Sequence, residues 1–324
     1  IGTAGYEQSV AYVRYELEAV GYEVALVPFH FRRAKPDAPE ETGTSVVAEW
    51  PHGDRGVVML GAHLDSVPAG PGINDDGSGV AAVLEIARQV AIQRVVLRHR
   101  LRFAFWGAEE IGLWGSRRYV ESLDADGAAR ILGYLNFDMI GSPNYIRAVY
   151  DSDPEPDGSD EIEHVLGRWF DANGLPYEEA TIVTGRTDHA AFGAAGIPVG
   201  GLFTGLGQKK TDDQAARYGG TAGDSGAGEG TSARNDVRVS GRTMAGWTSL
   251  SSRAVCRAFM STTAGAPSLA NVDPFIAAGD GAAVGRGDGV AAPSPCRRCS
   301  PVRRISTHTS SPPRAATTLK RSRG

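Results

Sequence analysis

Up to about Gly219 the apolar positions alternate between two periods, and that alternation predicts the fold. "YEQSVAYVRYELEAVGY" repeats its apolar residues at helical spacing and ends at Gly21, whereas "EVALVPFHFR" and "TSVVAEWP" read as strands between polar or Pro-rich connections. "GVVMLGAHLD" is a short continuous apolar run, the pattern of a strand covered on both faces. It is followed by an amphipathic helix at "GVAAVLEIARQVAIQ", a strand at "RLRFAFW", a helix at "EIGLWGSRRYVESL" and a third buried strand at "ILGYLNFDMI". A helix around "DEIEHVLGRWFDANG", a strand "EEATIV", a helix "TDHAAFGAAG" and a strand "IPVGGLF" continue the alternation. Strands alternating with helices predict an α/β sandwich around a largely parallel sheet.

Beyond Gly219 the pattern stops, and only "GWTSLSSRAVCRAFM" hints at a further helix. The last forty residues are mostly Ala, Gly, Pro, Ser, Thr and Arg, too poor in apolar surface to offset the entropy of ordering, so disorder is expected there. Charge changes at the same place. Residues 1–223 hold 19 Lys and Arg against 32 Asp and Glu, whereas residues 224–324 hold 14 against 6. The expected organisation is therefore a catalytic domain over 1–223 and a divergent tail over 224–324. All three cysteines, Cys256, Cys296 and Cys299, lie in the tail, which leaves the body without a disulfide framework or thiolate metal site. The tail's single "CRRC" lacks the second pair of a zinc ribbon, and its basic charge lacks the aromatic or groove-reading element of a nucleic-acid binder. No run approaches the ~18 apolar residues of a membrane helix. Neither a nucleic acid nor a membrane is an expected partner.

Candidate chemistry clusters where strands end. In open α/β sheets, sites form beyond the carboxyl ends of the strands. His63 and Asp65 follow "VVMLGA", Asp75 and Asp76 sit in a glycine-rich loop before a helix, Glu109 and Glu110 follow "RFAFWGA", and Asp138 ends "YLNF". Each feature alone reads as a turn, a helix cap or a favourable charge at a helix start. Together they would repel one another unless a cation compensated, and one imidazole with several carboxylates suits Zn²⁺ or a related divalent ion.

The motifs "GAHLDSV", "GINDDGSG", "LRFAFWGAEEIGL", "GYLNFDMIGSPN", "GRTDHAAF", "IPVGGLFTG" and "GGTAG" keep one order and spacing from about residue 5 to Gly223. In this the chain resembles the secreted di-zinc aminopeptidases, most closely the Streptomyces type that prefers large apolar N-terminal residues. The resemblance implies a three-layer sandwich with a largely parallel mixed central sheet of the zinc-exopeptidase kind. It implies that His63 and Asp138 hold one zinc, Asp75 bridges two, and Glu110 holds the other. Asp65 resembles the acid that orients the His63 ring, and Glu109 the general base. Asp75–Asp76 matches the place where the family has a cis peptide bond. Arg186 resembles a residue that holds substrate and oxyanion, and Met139 and Phe203 resemble the lining of an apolar side-chain pocket; the ordinary reading of those two is core. His189 is expected to be a hydrogen-bonded structural residue, and His164 part of a solvated face.

The implied activity is removal of N-terminal residues from peptides with a free α-amino group, by a secreted protein expected to be a monomer. An N-acyl amino-acid deacylase on the same scaffold is the enzymatic rival. A catalytically impaired metal- or peptide-binding protein is the other. That rival arises because the family follows "GGTAG" with a Tyr-His pair, the last zinc ligand and an oxyanion contact, where this chain has Gly230 and Thr231. The resemblance ends and the charge reverses at the same residue, Gly223. An out-of-frame reading of a GC-rich gene would give such a tail.

Overall fold

The computed structural model describes residues 1–35, 37–94, 97–153, 155–180 and 185–226. The expected tail therefore lies outside the described residues except for 224–226. In chain order the elements are α1 (Ala4–Ala19), β1 (Glu23–Arg32), β2 (Glu40–Glu49), β3 (Val57–His63), α2 (Gly77–Ile92), β4 (Arg100–Trp106), α3 (Trp114–Glu121) and α4 (Ala125–Ala129). They continue with β5 (Ile131–Phe137), β6 (Ala148–Tyr150), α5 (Ser159–Ala172), β7 (Glu178–Ala180), α6 (His189–Ala194), β8 (Val199–Phe203) and α7 (Asp212–Tyr218).

Eight strands form one mixed sheet in the order β1-β2-β4-β3-β5-β8-β6-β7. Its centre, β4-β3-β5-β8, is parallel, while β2 joins β4 and β6 joins β8 antiparallel. β3 is buried at every position, as its unbroken apolar run requires when helices cover both faces. Leu17 of α1, Val83 and Ile86 of α2 and Leu166 of α5 pack with Leu60, Phe103 and Leu135 from the sheet. Tyr119 of α3 and Phe192 of α6 pack with Met59, Trp106 and Tyr134, whose side chains alternate with the first set along their strands. Two helical layers enclosing a sheet make the three-layer sandwich that the resemblance implied.

Three local departures matter. α3 begins at Trp114, not near Glu110, because the carbonyl of Glu109 accepts from the N–H groups of Gly112 and Leu113 and closes a turn, with both residues at positive φ. Glu109 and Glu110 consequently stand on a loop at the end of β4. The short elements β6, α4 and α7 carry too few residues to display a period; α7 is nevertheless started by a reciprocal cap between Thr211 and Gln214. Of the strand "EEATIV", 178–180 form β7 and the rest lies outside the described residues. The described contacts run past Gly223: Lys209 and Ser225 form a β-bridge, and Gly226 accepts from the Asn144 N–H at 3.1 Å.

Candidate metal centre and active site

His63 closes β3 and is buried, with its ring held from one side. Nδ1 lies 3.0 Å from the carbonyl oxygen of Asp65, which can only accept, so Nδ1 is the donor and Nε2 faces the acids. Nε2 is 3.0 Å from Asp75 Oδ1, 3.6 Å from Asp138 Oδ1 and 4.0 Å from Glu109 Oε2. Ligand atoms of His63, Asp75 and Asp138 all lie within 4.8 Å of one another. The resemblance gave the orienting role to the Asp65 side chain; here its backbone carbonyl makes the close contact. The Asp65 carboxylate is 3.9 Å from Nδ1 and accepts instead from the Glu109 N–H at 3.0 Å. Asp65 thereby ties the end of β3 to the loop after β4.

Asp76 is the knot of the site. Its carboxylate accepts from the backbone N–H groups of His63, Gly79 and Met139, at 3.1, 3.0 and 3.2 Å. One side chain thus caps α2 and pins the ends of β3 and β5, so that ligands from three places keep one geometry. The Asp75–Asp76 bond is cis, at the position the resemblance indicated.

The charges are unbalanced. Burial pushes the Glu109 carboxyl up to about 10, opposed by His63 and assisted by the charges of Asp138, Asp188 and Glu110. Burial likewise pushes Glu110 up to about 7, with the charge of Asp75 next in strength. Burial works against a charged His63, yet its contacts with Asp138 and Asp75 raise it well above the ordinary imidazole range. A divalent cation reverses this logic, because it competes with the histidine proton and favours every ionised acid around it. Two observations fit one: Asp138 Oδ1 and Glu110 Oε1 are buried with no hydrogen-bond partner among the described residues. His63, Asp75 and Asp138 could hold the ion. Glu110 stands outside that trio, close enough for Asp75 to shift it.

Met139 and Phe203 come together with Ala148, Tyr150 and Ala180 in a small buried apolar cluster, flanked by Ile146 and Leu206. Arg186 is exposed on the turn before α6. His189 is buried edge-on to Tyr150, with ring centroids 5.0 Å apart, and burial lowers it to about 4 against the opposing charge of Asp138. Its expected hydrogen bond is not found among the described residues: Nδ1 has no partner, and Nε2 lies 3.8 Å from Glu155, because the ring is packed among side chains and not aimed at one.

Two neighbours went unnoticed in the sequence. Thr187 helps hold the Asp138 carboxyl below its ordinary range, and its hydroxyl oxygen accepts from the Asn136 amide at 2.9 Å. Asp188 is fully buried, neither of its oxygens has a hydrogen-bond partner among the described residues, and burial raises its carboxyl to about 7. Their signal was available in "GRTDHAAF", where a polar Thr-Asp pair precedes an apolar helix, but it reads as an ordinary helix cap.

Comparison with known proteins accords with this geometry. The chain is 48% identical over 223 residues to leupeptin-inactivating enzyme 1 of Streptomyces exfoliatus, covering 68% of this chain and 48% of that protein. It is 48% identical over 189 residues to leucine aminopeptidase 2 of Trichophyton equinum, covering 56% and 38% respectively. The chain thus spans half or less of the length of these relatives. A solved zinc aminopeptidase of Bacillus subtilis shares the fold, with a TM-score of 0.53 at 24% identity over 67% of this chain and 50% of that one. Residues 45–229, a stretch holding every candidate ligand, match the model of peptidase family M28, and the chain belongs to that family.

Proposed function

We propose that this chain is a zinc-dependent aminopeptidase that hydrolyses the first peptide bond of substrates with a free N-terminus and prefers large apolar residues there. The observation that carries this reading is the approach of His63, Asp75 and Asp138 ligand atoms within 4.8 Å, with Glu109 4.0 Å from the same imidazole. The names of the relatives, leucine aminopeptidase and leupeptin-inactivating enzyme, support it.

When bound, zinc supplies a Lewis acid for the scissile carbonyl and lowers the pKa of water. His63, Asp75 and Asp138 hold it, and Asp76 and Asp65 hold them. Glu109 takes the proton from water and delivers it to the leaving amine. Its burial suits that task, because a buried carboxylate keeps a high proton affinity. Met139 and Phe203 receive the apolar side chain, Arg186 steadies the substrate carbonyl, and the surrounding carboxylates attract the α-ammonium group.

Glu110 and Asp75 hold a second ion more weakly, since the histidine that the family places after "GGTAG" is absent from this stretch. Residues 1–223 form the catalytic unit, and the sequence after Gly223 derives from a shifted reading frame. The other two frames of the DNA after the Gly223 codon carry a Tyr-His pair; frames without one sink that idea. The protein is exported and monomeric, as fractionation of the culture and sedimentation check. No described helix is long and apolar enough to cross a membrane.

The deciding assay compares leucine p-nitroanilide with an N-acetylated amino-acid derivative, with zinc added and with a chelator. Zinc-dependent cleavage of the free-amine substrate is expected. Preferential cleavage of the acetylated one makes the chain a deacylase, and zinc binding without either activity makes it a binding protein.

A further inference from the structure

The segment that follows Asp138 is tied to two other parts of the chain by buried side chains. On one side, the loop that carries Asp75 receives its backbone. Met139 N–H donates to Asp76 Oδ1 at 3.2 Å, Ile140 N–H to Ser78 Oγ at 3.0 Å and Gly141 N–H to Asn74 Oδ1 at 3.0 Å. On the other side stands Thr204, fully buried and directly after β8. Its backbone N–H and its hydroxyl both donate to the Met139 carbonyl, at 3.1 and 2.5 Å, and its hydroxyl oxygen accepts from the Ser142 N–H at 3.0 Å. These directions are forced. A carbonyl can only accept and a peptide N–H can only donate, so the single hydroxyl proton belongs to Met139. A second strap runs beside the first, from Ser142 Oγ to the Gly205 carbonyl at 2.6 Å.

Met139 needs such holding. Its φ is 55°, in the left-handed region that a non-glycine residue keeps only when its surroundings impose it. Both of its peptide groups are fixed, the N–H by Asp76 and the carbonyl by Thr204. Its side chain belongs to the buried apolar cluster that contains Phe203. Met139 directly follows Asp138, and Thr204 directly follows Phe203. One hydroxyl therefore joins the backbone of one apolar residue to the strand end that carries the other, and it refers both to a candidate zinc ligand.

We infer that Thr204 is a positioning residue whose hydroxyl, bonded to the Met139 carbonyl, fixes the Met139 side chain relative to Phe203 and so sets the size of N-terminal side chain that the protein accepts. The inference rests on the reading of Met139 and Phe203 as the pocket for that side chain, and it adds the group that keeps the pocket in shape. Thr204 acts through Met139 and not by touching substrate.

The test compares leucine hydroxamate with alanine hydroxamate on the zinc-loaded full chain, with dissociation constants from calorimetry. The two probes share their ammonium and hydroxamate groups, so the ratio of their constants reports the side-chain pocket and needs no turnover. Thr204→Val keeps the shape but takes the proton from the Met139 carbonyl and leaves the Ser142 N–H buried without its acceptor. Thr204→Ser keeps the hydroxyl. A single methylene in an apolar pocket is worth about 10- to 200-fold in discrimination. At the lower end of that range, the preference for leucine hydroxamate should fall about tenfold in T204V and stay within about twofold of wild type in T204S. An unchanged preference in T204V overturns the inference, as does an equal fall in T204S, which would assign the effect to the methyl group. A purely structural role would lower the melting temperature and leave the preference alone, which also overturns it. If T204V does not fold, Thr204→Cys keeps the size with a weaker donor; a reduced preference then supports the inference and an unchanged one overturns it. Met139→Ala tests the underlying reading. An unchanged preference in M139A, or a wild-type chain that does not favour leucine hydroxamate, overturns the pocket itself, whereas a preference that falls in M139A but not in T204V overturns only the role of Thr204.

Discussion

Glu49, at the end of β2, and Asp138, just after β5, are carboxylates on one sheet with side chains 21% and 15% exposed, and they keep different company. Glu49 lies between two guanidinium groups: Arg100 donates at 2.6 Å, and Arg102 donates through Nε at 2.9 Å while also holding the Tyr119 hydroxyl at 2.7 Å. Although burial opposes it, these contacts hold Glu49 below the ordinary carboxylate range. Asp138, Asp75 and Glu109 share only His63 as a basic neighbour within ion-pair distance among the described residues, and Glu110 has none there. Where the chain needs an acid for structure it supplies the counter-charge itself. At the strand ends it does not, and the deficit is the mark of a cation from outside.

The largest expected effect lies on the unbalanced side. Glu109→Gln keeps the loop and removes the proton acceptor, so kcat for leucine p-nitroanilide falls by ~10²- to 10⁴-fold while KM stays near its original value. Retained kcat would assign the base elsewhere. Next in size is the cation itself. Zinc at about 100 times its dissociation constant adds ~2.7 kcal/mol to stability in thermal or urea unfolding, and chelator in excess over the zinc abolishes the gain. No stabilisation would mean that the acids tolerate one another unaided.

Two smaller effects have opposite signs and sharpen the contrast directly. In chelated protein at pH 8, Glu110→Gln should raise stability by about 1 kcal/mol, after discounting for partial exposure. The sign follows from the raised carboxyl: its ionisation costs the folded state as pH climbs from the ordinary carboxylate range, and the cost is complete above about 7. Glu49→Gln should instead lose about 1 kcal/mol at that pH. The Glu49 carboxyl is lowered, so its contribution is full above the ordinary range and vanishes as pH falls through the lowered value. Urea unfolding of both variants at pH 8 and at pH 3 measures this; equal signs at pH 8 would dissolve the distinction between the two kinds of acid.

Much of this was legible before any coordinates. The parallel centre of the sheet showed itself in "GVVMLGAHLD" and "ILGYLNFDMI", because strands buried on both faces cannot hide their apolar runs. The acids were legible because they interrupt those runs at the ends. Asn136 was not, since a single polar residue within "YLNFD" looks like any strand position until the neighbouring strands are known, and the room for its amide comes from Gly61 and Gly201 across the sheet. The late start of α3 was hidden for a related reason: "EIGLWGS" has helical spacing, and only the left-handed Leu113 reveals that its first turn is spent on presenting Glu109 and Glu110. The expected Asp65 carboxylate contact to His63 is made instead by the Asp65 carbonyl, because a sequence names the residue and not which of its oxygens faces the ring.

Gly61 and Gly201 also set a limit on improving this protein. A screen guided by strand propensity would rank both mid-sheet glycines as easy gains, since valine or isoleucine at either position suits a pleated, buried strand better. Those replacements are the ones the scaffold must reject, because the new Cβ would meet the Tyr134 hydroxyl in one case and the Asn136 carbonyl in the other. Thermostabilising libraries for this chain should therefore leave the two glycines fixed and draw their diversity from exposed positions of the outer hairpin such as Leu26.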